Sequence, residues 1–266
     1  MSKSYLIISV WLQKKGRTMK KLFAFGLVLL LSFSLAQDLG GRTIRSAMDA
    51  TYPPFESIDD NGELVGFDID LMAAICERIN CQVEYVNAAW DGMVAAMGAG
   101  VFEDYDMMIG GISYTEERDQ TIDYSNPYLT VSQAITVRVA DEALTLEDFT
   151  PESGLKLGAQ IGTTNADLAL ELVGEENSVT YDTFNDAALA LIQGDIDGMT
   201  IDGVTADAFA QQYAGELVVN IRGLSNDPLA IVFQEGDELI DAFNGALEQL
   251  EADGTLAELV AKWFGE

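Results

Sequence analysis

The sequence contains no histidine. That absence excludes Ser-His-Asp and Cys-His catalysis and every imidazole metal site. Cationic side chains are scarce, with 14 Lys and Arg against 44 Asp and Glu. Six of the 14 (Lys3, Lys14, Lys15, Arg17, Lys20 and Lys21) fall in residues 1–36, which hold no acid. Without that stretch eight basic residues face 44 acidic ones, a formal charge of −36, and the only lysines are Lys156 and Lys262. Phosphate backbones are gripped by clustered Lys and Arg, so nucleic acid is excluded as a partner. The acids are spread rather than blocked and apolar residues are plentiful, which argues against disorder. Cysteine is limited to Cys76 and Cys81, too few for a metal site without other ligands. No low-complexity segment or long linker is present, and no cofactor is expected.

Apolar runs long enough to span a membrane are lacking too. The run from Leu22 to Leu35 is short for a spanning helix. It follows Met19-Lys20-Lys21 and ends in Ser34-Leu35-Ala36, which reads as a secretory signal over 19–36 cleaved after Ala36, with 1–18 an upstream extension. A periplasmic or secreted location is expected. There, Cys76 and Cys81, five apart at a helix-to-strand transition, favour a disulfide, with two free thiols as the alternative.

Strand and helix patterns alternate along the rest of the chain, predicting an α/β fold with mainly parallel sheets. Strands are expected at 43–48, 82–86, 106–109, 133–139, 155–161, 179–181, 217–221 and 228–233. Helices are expected from Phe67 with Leu71, Ile75 and Ile79 on one stripe, and over 90–98, 162–173, 184–193, 204–214, 237–250 and up to Phe264. Pro53-Pro54 forbids helix in the loop after the first strand. The layout repeats in two halves, which suggests two lobes facing a cleft.

One stretch concentrates the chemistry. Met107-Met108-Ile109 reads as a buried strand, followed by Gly110-Gly111-Ile112-Ser113-Tyr114-Thr115-Glu116-Glu117-Arg118. Glycines at a strand end let a ligand approach the backbone. A helix is expected next, capped by Ser113 or Thr115, with Arg118 in its first turn. A helix start and a guanidinium together would favour a carboxylate. A strand-turn-helix with a surface ion pair at Arg118 is the bland alternative.

Five stretches in order then resemble the bacterial solute-binding proteins of the polar amino-acid type, receptor components of ABC importers. They are Thr51-Tyr52-Pro53-Pro54-Phe55-Glu56; Gly62-Glu63-Leu64-Val65-Gly66-Phe67-Asp68-Ile69-Asp70-Leu71; Ile112 to Arg118; Gly162-Thr163-Thr164; and Ala252-Asp253-Gly254-Thr255. The resemblance implies a two-lobed, type II periplasmic-binding-protein fold with two hinge crossings and a ligand in the cleft. Lobe 1 would comprise 37–129 and 228–266, and lobe 2 would comprise 130–227. It also implies a monomer that delivers an amino acid to a membrane permease and its ATPase.

Carried over residue by residue, the resemblance places the ligand carboxylate on Arg118 and on Thr163-Thr164 at the opposite lobe's helix start. Asp202 accepts from the ammonium, with Ser113 and the Gly110-Gly111 backbone completing that shell. Tyr52 and Trp90 match the positions that clamp the side chain, and Asp49 and Gln160 meet its far end. Aromatic faces beside an aspartate favour a cationic side chain, arginine or lysine first, with glutamine and histidine open. The chain departs from some relatives in having Gly110-Gly111 where they carry serines, in the insert Val101-Phe102-Glu103-Asp104-Tyr105, and in the close spacing of its cysteines. The main rival is an exported dehydratase of the same fold acting on cyclic amino-acid precursors, for which Glu56 is the one available general acid.

Overall fold

A computed structural model describes residues 37–265. The proposed signal segment and its cleavage point lie outside the described residues. The chain opens with β1 (Arg42–Met48), a meander of short strands β2 (Thr51–Tyr52), β3 (Glu56–Ile58) and β4 (Leu64–Val65), then α1 (Phe67–Ile79), β5 (Cys81–Asn87), α2 (Trp90–Ala99), β6 (Met107–Met108), β7 (Ile122–Tyr124) and β8 (Leu129–Val131). A second group follows: β9 (Gln133–Arg138), β10 (Leu157–Gln160), α3 (Thr164–Val173), β11 (Ser178–Tyr181), α4 (Phe184–Gln193), β12 (Gly198–Asp202), α5 (Gly203–Gln212) and β13 (Leu217–Ile221). The chain then returns through β14 (Asp227–Leu229) and β15 (Val232–Gln234) to α6 (Leu239–Asp253) and α7 (Thr255–Phe264).

Two five-stranded sheets result, ordered β5-β1-β6-β15-β7 and β11-β10-β12-β9-β13. The first takes a strand from late in the chain, β15, and inserts it between β6 and β7. Both sheets are mixed rather than mainly parallel. β1 runs parallel to β5 and β6, while β15 runs antiparallel to β6 and β7. In the second sheet β9 is antiparallel to both β12 and β13. The cause is the route of the chain, since β9 and β15 enter their sheets directly from the two crossings, with no helical crossover to reverse them. The crossings pair side by side as the antiparallel ladder β8–β14.

The stretch expected as one strand over 228–233 divides into β14 and β15, because Ala230 leaves the ladder and donates its N–H to the Ile112 carbonyl. The short meander β2–β4 was not foreseen. It docks on the start of α1, where the Phe67 and Asp68 N–H groups donate to the carbonyls of Pro54 and Phe55. That satisfies donors which any helix leaves open at its first turn. Phe67, Leu71, Ile75 and Ile79 of α1 are fully buried beside Phe233 and Phe243, as their spacing predicts. In the second sheet β9 is buried along nearly its whole length, as expected of a strand covered on both faces. The 101–105 insert packs under α2, with the Phe102 and Tyr105 ring centroids 5.5 Å apart, beside Trp90 and Met93. Cys76 of α1 and Cys81 of β5 are joined as a disulfide. Among the described residues, no helix is long and apolar enough to cross a membrane.

Gly66 marks the closest backbone approach. Its φ is +152°, and a Cβ there would lie 1.9 Å from the Phe55 carbonyl oxygen. Gly66→Ala is therefore expected to lower stability by roughly 3 kcal/mol, through strain and displacement of the Pro54–Phe55 cap. Gly62→Ala, where φ is +84° and nothing lies within 4 Å, should cost about 1 kcal/mol. Urea unfolding that shows equal losses would contradict this account.

Candidate functional site

The site forms where strand ends of the two sheets face each other. Asp49 follows β1, Tyr52 lies on β2, Trp90 opens α2, and Gly110, Gly111, Ser113 and Arg118 follow β6. From the other side, Gln160 ends β10, Thr163 and Thr164 begin α3, and Asp202 ends β12. All eleven predicted residues border one narrow interlobe pocket. Glu56, Asn165 and Phe184 border it as well.

Direct contacts cross the cleft. The Tyr52 hydroxyl donates to Asp202 Oδ2 at 2.7 Å, and Gln160 Nε2 donates to Asp49 Oδ2 at 3.0 Å. Arg118 donates to the Ser113 carbonyl at 3.0 Å on its own side and to the Gly162 carbonyl at 3.1 Å on the other. The Ser113 and Thr164 hydroxyls lie 3.5 Å apart.

Asp202 has a defined environment. It is 2 % exposed, and Asn165 Nδ2 donates to its second oxygen at 3.2 Å. Burial pushes its carboxyl up to about 6, against the hydrogen bonds from Tyr52 and Asn165. It is therefore an anion at neutral pH that is short of a counter-charge. Its side chain makes no capping bond to α5, so a plain turn role does not account for it.

Arg118 is the cationic counterpart. Every other arginine among the described residues sits in an ion pair. Arg118 instead bonds two carbonyls and lies 5.6 Å from the Trp90 ring centroid. The helix expected around it is absent. Arg118 begins a single 3-10 turn, Arg118–Gln120, and its N–H donates to the Thr115 hydroxyl at 3.1 Å. The polar run Glu116-Glu117-Arg118-Asp119-Gln120 offers no apolar stripe to bury, so nothing sustains a longer helix before β7. The guanidinium itself, without a helix start behind it, supplies the positive charge on this side. Across the cleft, α3 does present a helix start. The Thr163 hydroxyl is used on the helix, accepting from the Ala166 N–H and donating to the Gln160 carbonyl, and the two residues before Ala166, Thr164 and Asn165, bring the start of the helix to the cavity border.

The glycines at 110 and 111 have a steric cause. A Cβ at Gly111 would lie 2.9 Å from the Tyr52 ring, and one at Gly110 would lie 2.7 Å from Glu56 Oε1. A side chain at either position could not stand here without moving Tyr52 or Glu56. Tyr52 stacks on Phe55 with ring centroids 5.6 Å apart and approaches Phe184 at 5.2 Å. Phe184, a helix-opening apolar residue like Trp90, and Asn165, adjacent to Thr163-Thr164, were not singled out from the sequence. Their positions beside recognised residues were the only available signal. Among the described residues no cluster of potential ligands could hold a metal ion.

The sequence pattern of the bacterial extracellular solute-binding proteins, family 3, matches residues 44–266. ABC transporter arginine-binding protein 1 of Escherichia coli (strain K12) is 30% identical over 251 residues, covering 92% of this chain and 99% of that protein. An ancestral arginine-binding protein bound to arginine superposes with a TM-score of 0.75 at 34% identity, over 84% of this chain and 98% of its own. An ancestral arginine-binding protein bound to glutamine gives the same TM-score of 0.75 and 34% identity, with the same coverage of 84% and 98%.

The buried acids give the site a pH signature. Asp202 at about 6 and Asp68 at about 7 both stand above the ordinary carboxylate value, with burial as the main cause, and Glu56 is pushed well above it. Between pH 4 and 7 the folded state thus holds more protons than the unfolded chain, so stability falls as pH rises through this window. For the ligand-free protein, the urea midpoint is expected to be higher at about pH 5.5 than at about pH 7.5, and Asp202→Asn should reduce that difference. A lower midpoint at the acid pH would contradict the raised values.

Proposed function

The chain belongs to the bacterial extracellular solute-binding proteins of family 3, and on that premise we propose that it receives a cationic L-amino acid, arginine first and lysine next, for an ABC importer. The observation that carries the reading is the placement of one unpaired guanidinium, Arg118, and one buried carboxylate, Asp202, on opposite walls of a single cavity. An amino acid carries the complementary charges at a fixed separation. Its carboxylate takes Arg118 and the first N–H groups of α3. Its ammonium takes Asp202, Ser113 and the Gly110–Gly111 backbone. Tyr52 and Trp90 flank the side chain, and Asp49 with Gln160 receives its far end. A ligand held this way bridges residues 37–129 with 228–266 on one side and 130–227 on the other, so binding stabilises the closed arrangement. The protein acts as a monomer, exported after cleavage behind Ala36.

Glutamine and histidine are the next ligands in this reading. The arginine-binding relative and the ancestral protein bound to arginine support the order given, and the ancestral protein bound to glutamine keeps an amide in play. The dehydratase reading rests on Glu56, a buried carboxyl against the cavity. Measurable turnover of arogenate or prephenate would favour it.

A thermal-shift panel of the standard amino acids tests the proposal. At a hundredfold excess over Kd a ligand adds about 2.7 kcal/mol, a rise of roughly 5–10 °C for a chain of this size. L-Arginine is expected to give the largest shift. If no amino acid shifts melting, the proposal fails. Arg118→Ala should weaken arginine binding at least about 100-fold, since it removes a charge-assisted pair worth about 3 kcal/mol. Trp90→Ala should mainly alter the ranking of side chains. Undiminished affinity in Arg118→Ala would overturn the carboxylate assignment.

A further inference from the structure

Two side chains beside the cavity have no part in the grip described above. Glu56 on β3 and Asp68 on α1 are 1 % and 0 % exposed, and their carboxyls lie against each other. Two carboxylates in contact and out of water cannot both be charged without a cation between them. The titratable groups facing them supply none. Asp49 follows β1, Tyr52 sits on β2, Tyr85 on β5 and Tyr128 just before β8, while Asp202 lies beyond Tyr52. The cavity's cation, Arg118, is turned to the Ser113 and Gly162 carbonyls. Glu56 Oε2 and Asp68 Oδ1 are buried acceptors that lack a donor. A proton held by the pair supplies one. The other Asp68 oxygen accepts from the Gly111 N–H at 3.1 Å and the Tyr128 hydroxyl at 3.3 Å.

The pair also lies immediately beneath the backbone that faces the ligand. Gly111 is tied to Asp68 by that hydrogen bond. Gly110 rests on Glu56 so closely that a Cβ would come within 2.7 Å of Oε1. Glu56 itself borders the cavity, so a cation entering it stands beside the pair.

We infer that Glu56 and Asp68 hold one proton between them in the ligand-free protein and release it to solvent when a cationic amino acid binds, so that ligand cation is exchanged for a proton. This rests on the amino-acid-binding reading. In the step, one carboxyl O–H bond breaks, its electron pair stays on the oxygen, and the proton passes to water and buffer. The bound ligand's positive charge compensates the second carboxylate charge. By linkage, affinity then falls as pH is lowered, because the protonated form must lose its proton to bind. Burial pushes both carboxyls upward, Asp68 to about 7, whereas Asp202, at about 6, contributes at lower pH.

The test is calorimetric titration of L-arginine into the protein at about pH 7.5, in buffers of different ionisation enthalpy, which counts protons released per ligand. Wild type is expected to release roughly half a proton or more, and Glu56→Gln and Asp68→Asn to lose that release while still binding. Wild-type binding without proton release, or equal release from wild type and a variant that binds, would overturn the inference and leave the proposed function standing. If arginine does not bind, the proposed function fails. The proton is then judged on the ligand-free protein by carboxyl-carbon NMR. A glutamate carboxyl titrating above pH 7 in wild type would uphold the ligand-free half of the inference. Side-chain carboxyls that all titrate below about pH 6 would overturn it.

Discussion

The arrangement depends on one buried carboxylate. Asp202 ends a central strand with 2 % exposure, and an anion so placed is costly unless opposite charge or hydrogen bonds compensate it. In the structure the compensation is partial and comes from neutral donors, Asn165 on its own side and Tyr52 across the cleft. In the proposed reading, the remaining electrostatic demand gives a ligand ammonium its advantage. The same demand explains why the cleft is shut by contacts such as Tyr52–Asp202. Each crossing hydrogen bond is worth only about 1 kcal/mol net, so a ligand that supplies full charges can replace or reinforce them.

Around this point the acids are arranged unevenly. The chain beyond residue 36 carries a formal charge of −36, yet most of that charge is solvated and screened within about 10 Å. What matters to a ligand is the small set of acids out of water: Asp202, Glu56 and Asp68, with Asp49 at the rim. Arg118 faces them as the one arginine among the described residues outside an ion pair, its donors spent on carbonyls that can be exchanged for a carboxylate at little cost. In the proposed exchange, the pairing of the Glu56 and Asp68 carboxyls keeps the floor of the cavity from carrying a second full charge until a cation arrives.

Much of this was legible in the sequence, and the failures have physical causes. All eleven predicted residues, five of them within the motifs (Tyr52, Ser113, Arg118, Thr163 and Thr164), border one pocket, because they sit at or next to strand ends and helix starts where backbone geometry is tightly specified. The helix at Arg118 was misread because capping residues mark where a helix can start but not whether it has an apolar face to continue on. The split of 228–233 into β14 and β15 was invisible because a continuous apolar run looks the same in one sheet or two. The mixed strand directions depend on which strands the crossings feed, a long-range matter that periodicity does not encode. Asn165 and Phe184 carried no local sign of a role. The glycines at 110 and 111 were read as an approach for a ligand, and the structure adds that Tyr52 and Glu56 already occupy the space where side chains would stand.

The central claim is that one small molecule satisfies both walls of the cleft through its α-carboxylate and its α-ammonium. Comparing the affinities of L-arginine, agmatine and Nα-acetyl-L-arginine tests it most directly, since agmatine lacks the carboxylate and the acetylated compound lacks the ammonium while both keep the side chain. The account predicts that each analogue binds at least about 100-fold more weakly than arginine, the loss of roughly 3 kcal/mol that follows when a buried charged partner is left unpaired. Agmatine or the acetylated compound binding as tightly as arginine would contradict it.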